Sequence, residues 1–156
     1  MRRLITLLAL AFTLVLLPAV SAQPMKPLRC GLVLELIFVG DPPVPDHWEG
    51  TVTLPGDIEG SITVTPSEAR YNRPETLEHF LETWVIETDD GSIMGFDEGI
   101  WSLKTLKWMA NGRVTAATES WAYLAGCKVH VSGIVEFAAE GVEGEGTMTF
   151  VPSSHG

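Results

Sequence analysis

The chain has 156 residues, with 10 basic and 20 acidic side chains and a formal net charge of −10. This length predicts one domain with a substantial core, apart from any targeting segment. Such an acidic surface repels nucleic acid and anionic lipid, so we expect neither as a partner.

The first 22 residues have the pattern of a secretory signal peptide. Two arginines give a basic start, an apolar run follows, and the small residues Val20 and Ala22 suit a signal peptidase. A retained membrane anchor is the competing interpretation, because about 18 apolar residues nearly span a bilayer. We expect cleavage after Ala22. Residues 23–156 then form a secreted, periplasmic or extracellular domain without a membrane segment.

Two cysteines, Cys30 and Cys127, lie far apart in a chain that we expect to be exported. An even number of cysteines in an oxidising compartment predicts one disulfide. It would close a loop of nearly a hundred residues and stabilise the fold by about 4–5 kcal/mol. The alternative is two buried free thiols. No CxxC or HExxH motif occurs, so no metal site is predicted.

The segments after Cys30 alternate between apolar and polar residues with period two, which is typical of strands. Leu32–Val39 is a nearly continuous apolar strand, ended by the Pro-rich loop GDPPVPD. Trp48–Leu54 and Ile58–Thr65 form a hairpin with one dry and one wet face, turned at PGD. Pro66–Glu75 is predicted as a long polar loop.

An aromatic-rich hairpin follows over His79–Trp101, turned at Asp89-Asp90-Gly91. Further strands are predicted over 107–116, 128–137 and 144–151, with a turn of helix within Thr118–Gly126. About eight strands with no covering helix predict an all-β fold that must close or fold over on itself. Glycines recurring inside the strands favour a small antiparallel closed barrel, with a β-sandwich as the alternative.

Two glutamates lie among the aromatic residues of this hairpin. If the turn is a three-residue loop, Thr88 pairs with Ser92 and Glu82 faces Glu98. Carboxylates with Cβ atoms about 5 Å apart in apolar surroundings cannot both stay ionised, which is the pattern of a general acid and base. The apolar residues predicted on the same face are Phe80, Trp84, Ile86, Met94, Phe96 and Ile100.

Other arrangements of this hairpin stay open. If the face points outward, both glutamates are solvated and the aromatic residues form an exposed patch, typical of a subunit interface. A two-residue turn would shift the register and separate the pair. Glu35, within LVLELIFV, is either a third buried acid or an edge residue. The predicted site has Glu82 and Glu98 as acid and base, with Glu35, Phe80, Trp84 and Phe96 lining an apolar interior.

A glycine-bounded G-x-V-T-x-A-T-like run, a turn, an L-x-G and a glycine-interrupted strand follow one another over 111–137. The matching residues are Gly112, Val114, Thr115, Ala117, Leu124, Gly126 and Gly133. This stretch resembles the closing strands of the allene oxide cyclase-like barrels, whose architecture the dirigent proteins share. The resemblance implies an eight-stranded antiparallel barrel with a largely apolar cavity, no cofactor, and often a trimer.

Three functions are compatible with these predictions. The first is a binding protein for a small hydrophobic ligand held inside the barrel. The second is a cofactor-free isomerase or cyclase that uses the paired glutamates. The third is a structural or oligomeric interaction module that assembles through the aromatic hairpin face. The motifs of the common hydrolases and nucleotide-binding proteins do not occur.

Overall fold

The computed structural model describes residues 25–41, 44–138 and 141–153. The predicted signal peptide and its cleavage site lie outside these ranges. Within them, no helix is long and apolar enough to cross a membrane.

Eight antiparallel strands form one closed barrel, in which each strand pairs with the next along the chain and the last pairs with the first. A single turn of 3-10 helix, Glu119–Leu124, connects the sixth strand to the seventh. This confirms the predicted all-β closed barrel over the alternative sandwich. The strands are β1 (Leu28–Val39), β2 (Val44–Leu54), β3 (Ile58–Tyr71), β4 (Leu77–Thr88), β5 (Gly91–Ser102), β6 (Lys107–Ala117), β7 (Lys128–Ala138) and β8 (Gly141–Val151).

Two segments predicted as loops instead lengthen strands at one end of the barrel. The last three residues of the Pro-rich segment belong to β2, and most of the predicted polar loop belongs to β3. Pro45 and Pro66 both lie beside a register shift in their ladders. Proline is tolerated there because a bulge leaves a backbone position that need not donate a hydrogen bond. At the second bulge the Ser67 hydroxyl donates to the Leu81 carbonyl oxygen at 3.0 Å.

The core fills the end of the barrel that carries the 3-10 helix, which we call the filled end. Trp121 and Leu124 of the helix are buried there. The Trp121 indole N–H donates to the Thr88 hydroxyl at 2.9 Å and so holds the helix against the β4–β5 turn. The largest fully buried side chains are Trp84, Phe150, Leu54, Ile62, Ile86, Ile93, Leu124 and Met148.

The predicted disulfide does not form: Cys30 and Cys127 are both free, buried thiols. Cys30 pairs with Met148 of β8, and Met148 pairs in turn with Val131 of β7, four residues beyond Cys127. Two strand spacings already amount to about 9.5 Å, whereas bridged cysteines need Cα atoms within about 7 Å. Burial raises the pKa of the Cys30 thiol to about 12, so this thiol stays protonated.

Gly95 on β5 provides the space for the largest core side chain. A Cβ at this position would overlap the Trp84 ring and the Arg113 carbonyl oxygen. Trp84 is 1% exposed and packs edge-on against Phe150, with ring centroids 6.2 Å apart. The tryptophan therefore occupies the volume that the missing side chain leaves.

We predict that Gly95→Ala lowers the free energy of unfolding by about 1–3 kcal/mol, because one extra methyl group overpacks this contact. Gly31→Ala is the matched control, since a Cβ at Gly31 meets nothing within 4 Å. Urea unfolding midpoints measure both effects. Equal midpoints for the two variants would contradict the packing of Trp84 against Gly95.

Candidate functional site

The β4–β5 hairpin turns through two residues, Asp89 and Asp90, so that Thr88 pairs with Gly91. The three-residue loop predicted from the sequence is therefore wrong. The Thr88 hydroxyl donates to the Gly91 carbonyl oxygen at 3.0 Å and accepts from the Asp90 N–H at 3.1 Å. Gly91 has φ 121°, a conformation that glycine adopts readily. The turn is thus fixed by one hydroxyl and one glycine.

The shift of one residue moves every β5 side chain to the face opposite the predicted one. Glu98 lies on the outer surface, opposite Leu81, and Phe96 is 40% exposed. Glu82 instead faces Asp97. Both predictions for β5 are therefore corrected: neither Glu98 nor Phe96 reaches the interior.

The sequence does contain evidence for this register, in the sizes of the paired residues. Trp84 pairs with Gly95, and Phe80 pairs with Gly99. A Cβ at Gly99 would crowd the Phe80 ring, at 2.6 Å from its Cζ. The predicted register set Trp84 against Phe96, which would place two large rings side by side in a narrow barrel. Matching bulky residues with glycines across the hairpin would have identified Asp97.

A cavity of about 450 Å³ opens at the end of the barrel opposite the filled end. We call this the open end. Phe80 and Glu82 lie on the cavity wall, Trp84 is buried beneath it, and Glu35 points outward from β1. The lining is mostly apolar and includes Leu34, Leu36, Pro45, Trp48, Val64, Pro66, Tyr71, Phe80, Trp101, Trp108 and Val135, together with the acids Asp46, Glu68, Glu78 and Glu82.

Three inward positions near the open end hold glycine, and two of them accommodate the ring of Trp108. The indole of Trp108 lies close to Gly133 and Gly146, where a Cβ would approach its ring to 2.8 and 3.0 Å. At Gly144, a Cβ would make only ordinary contacts, 3.6 Å from Leu34. At the mouth, Trp101 stacks on Phe137 with centroids 6.2 Å apart. The wall is therefore built from large rings set against residues without side chains.

Glu82 and Asp97 form a carboxyl pair beside this cavity, in which Asp97 is buried and Glu82 is partly buried. Asp97 is 1% exposed, and burial raises the pKa of its carboxyl to about 6, although Glu82 and Trp84 partly oppose this. The pKa of Glu82 is raised well above its ordinary value, first by burial and then by the charge of Asp97, with a further contribution from Glu78. Each of the two carboxyls thus holds its proton to a higher pH than an ordinary carboxyl does, and Glu82 presents its carboxyl to the cavity.

The polar atoms around Asp97 are incompletely hydrogen-bonded. Among the described residues, neither oxygen of Asp97 has a hydrogen-bond partner, and neither does Nε1 of Trp84. The Trp84 N–H and the Glu82 carboxyl lie near enough to shift the Asp97 pKa, but neither contact has full hydrogen-bond geometry. An unpaired buried carboxylate costs more than an unpaired neutral group. Sites that carry such a cost are typically functional.

The remaining charged groups of the lining lie toward the mouth. His47 contacts Asp46 at 2.7 Å and Glu49 at 3.0 Å, and the hydrogen bond that the Glu49 carboxylate accepts is the main cause that raises the His47 pKa. Glu68 pairs with Arg70 at 2.7 Å. Across the described ranges, no three histidine, cysteine or acidic side chains converge as metal ligands would. The arrangement is suited to binding an organic molecule and to moving a proton.

We predict that the Asp97 carboxyl makes the barrel less stable as the pH rises from about 4 through about 6. Its raised pKa means that the folded protein binds more protons than the unfolded chain in this window, so neutral Asp97 favours folding and ionised Asp97 opposes it. Asp97→Asn should remove this loss of stability. Its free energy of unfolding should rise by about 3 kcal/mol relative to that of wild type between pH 4 and pH 7.

Urea unfolding at several pH values measures this difference. Glu98→Gln is the matched control, since it removes a carboxylate from the adjacent, outward-facing position. A difference between Asp97→Asn and wild type that stays constant with pH would mean that Asp97 is solvated.

Comparison with known proteins gives no relative for this barrel: no protein-family model, no curated protein and no solved structure matches the chain. The resemblance of residues 111–137 to the allene oxide cyclase-like barrels thus stays a prediction from those residues alone. The site is interpreted from its own geometry.

Proposed function

We propose that this domain is an exported β-barrel that binds one small hydrophobic ligand in the cavity at its open end. The observation that carries the proposal is the cavity, about 450 Å³ with mostly aromatic and aliphatic walls. Ligand pockets in proteins commonly measure about 300–1,000 Å³, and an eight-stranded barrel is just wide enough for one small ligand.

The partly exposed tryptophans of the cavity support this proposal. Trp48, Trp101 and Trp108 all line it and are only partly buried. Covering apolar surface contributes about 25 cal/mol per Å². A ligand that fills the cavity would therefore recover the burial that the glycine-rich wall leaves incomplete.

Export and self-association belong to the same proposal and have separate support. The basic start and apolar run of the first 22 residues support export to a secreted or periplasmic location. A homo-oligomer is supported by the allene oxide cyclase-like resemblance and by apolar side chains on the outer surface, such as Phe96, Met109 and Ile134.

We predict that Gly144→Leu blocks ligand binding, because its side chain would project into the cavity from a position where only a small addition fits. The probe is N-phenyl-1-naphthylamine, an uncharged aromatic molecule that fluoresces in apolar surroundings. Wild type should bind it, and the variant should bind it at least about tenfold more weakly.

Gly31→Leu is the matched control, because Gly31 faces outward on the neighbouring strand with open space around it. It should bind the probe as wild type does. Equal loss in both variants, or no probe binding by wild type, would overturn the proposal.

A cofactor-free isomerase is the second candidate, and the Glu82–Asp97 pair favours it. Glu82 lies at the cavity wall, where its carboxylate could remove a proton from the carbon beside a ligand carbonyl and return it to the γ-carbon. Burial, together with Asp97 directly behind it, raises the pKa of Glu82 and so makes that carboxylate a stronger base. The corrected pair therefore takes the acid–base role predicted for Glu82 and Glu98.

We predict that the barrel converts 3-cyclohexen-1-one to its conjugated isomer, with the rate followed by ultraviolet absorbance. Glu82→Gln should lower the rate by about a hundredfold, the usual contribution of a general acid or base. Glu98→Gln should leave it unchanged, since Glu98 faces outward. Equal rates for wild type and Glu82→Gln would remove this candidate and leave ligand binding untouched.

A further inference from the structure

The cavity combines aromatic faces with acids and lacks basic groups. Five aromatic side chains line it, and the described lining includes no lysine, arginine or histidine. The face of an aromatic ring carries partial negative charge and attracts cations within about 6 Å. The acids and the ring faces thus both favour a cation inside the cavity. The aromatic side chains are Trp48, Tyr71, Phe80, Trp101 and Trp108.

Not all of the acids contribute to the negative potential inside the cavity. Glu68 is neutralised by Arg70, and Asp46 contacts His47, whose raised pKa favours its charged form. Glu78 and Glu82 form no ion pair within the described part of the chain. The uncompensated negative charge therefore lies on the wall formed by β4 and by Asp97 behind it.

Asp97 provides an independent observation that points to a ligand. Its side chain is 99% buried on the inner face of β5, next to Glu82, and both of its oxygens lack a hydrogen-bond partner. A neutral ligand carbonyl would not satisfy them, because a carbonyl also accepts hydrogen bonds. A positive charge placed at Glu82 would stabilise both carboxylates at once.

We infer that the ligand of this cavity is a hydrophobic cation: an organic ammonium group carried on an apolar body that fills the space between the tryptophans. The inference rests on the proposed ligand-binding function and specifies its ligand class. The cationic group would lie against the Glu82–Asp97 pair and the aromatic faces, and the apolar body would extend toward the mouth.

Binding of a cation would be linked to loss of a proton. The titratable groups around Glu82 are Asp97 on β5, Glu78 on its own strand, Glu68 and Tyr71 on the neighbouring strand β3, and Asp46 on β2. A cation favours the ionised form of Glu82, whose pKa is raised by burial and by Asp97, and so promotes release of its proton. Affinity for a cation should therefore rise as the pH rises through the pKa of Glu82.

The test compares three probes of nearly the same shape on the full mature domain: benzyltrimethylammonium, its uncharged carbon isostere neopentylbenzene, and benzylsulfonate. Displacement of N-phenyl-1-naphthylamine gives the affinities. We expect the cation to bind about tenfold more tightly than neopentylbenzene, consistent with one or two desolvated cation–π contacts, and the anion to bind most weakly. Calorimetry in buffers of different ionisation enthalpy should show proton release with the cation alone.

Glu82→Gln should weaken binding of the cation about fivefold or more and leave neopentylbenzene within twofold of wild type. Retained binding of neopentylbenzene also shows that the variant is folded. Glu98→Gln, with its carboxylate outside the barrel, should change neither affinity.

The outcomes separate this inference from the function on which it rests. If neopentylbenzene binds as tightly as the cation, or if cation affinity does not change with pH, the proposed ligand class is wrong. The proposal that the cavity binds a small hydrophobic ligand would then remain. If neither probe nor the naphthylamine binds, the proposed function falls together with the inference.

Discussion

The interior of this barrel depends on how the side chains of β4 and β5 share the space between them. Trp84 and Phe80 lie opposite Gly95 and Gly99, so each large ring extends over a residue without a side chain. A barrel of eight strands has little internal volume, and two facing rings would exceed it. This complementarity and the two-residue turn enforce the same register. That register brings Asp97 beside Glu82.

The size of the inward side chains varies along the barrel axis, so one end of the barrel is packed and the other is open. Toward the 3-10 helix, inward positions carry Ile, Leu, Val, Trp and Phe, and they pack without space for a ligand. Toward the open end, Gly133 and Gly146 accommodate the Trp108 ring, Gly144 lines the cavity, and the remaining space is not filled by side chains. The filled end supplies the stability that lets the open end remain incompletely packed.

The carboxyl pair lies at the boundary between these two regions. Buried charge is costly in the packed half, yet Glu82 borders the cavity and can exchange protons with a ligand or with water. A pair at this position opposes folding above its pKa values. The two proposed roles, ligand binding and proton transfer, would use this one arrangement, and both would depend on Glu82.

The alternating pattern of the sequence predicted the strands, and the glycines inside them favoured the closed barrel over a sandwich, which the structure confirms. It also placed Glu82 and Phe80 among the interior candidates. Three features depended on tertiary structure. The register of β5 followed from a hydroxyl-stabilised turn and from ring-against-glycine packing, and it exchanged Asp97 for Glu98. The cysteines remained apart because β8 lies between their strands. The cavity lies between side chains of several strands, an arrangement that no single strand reveals.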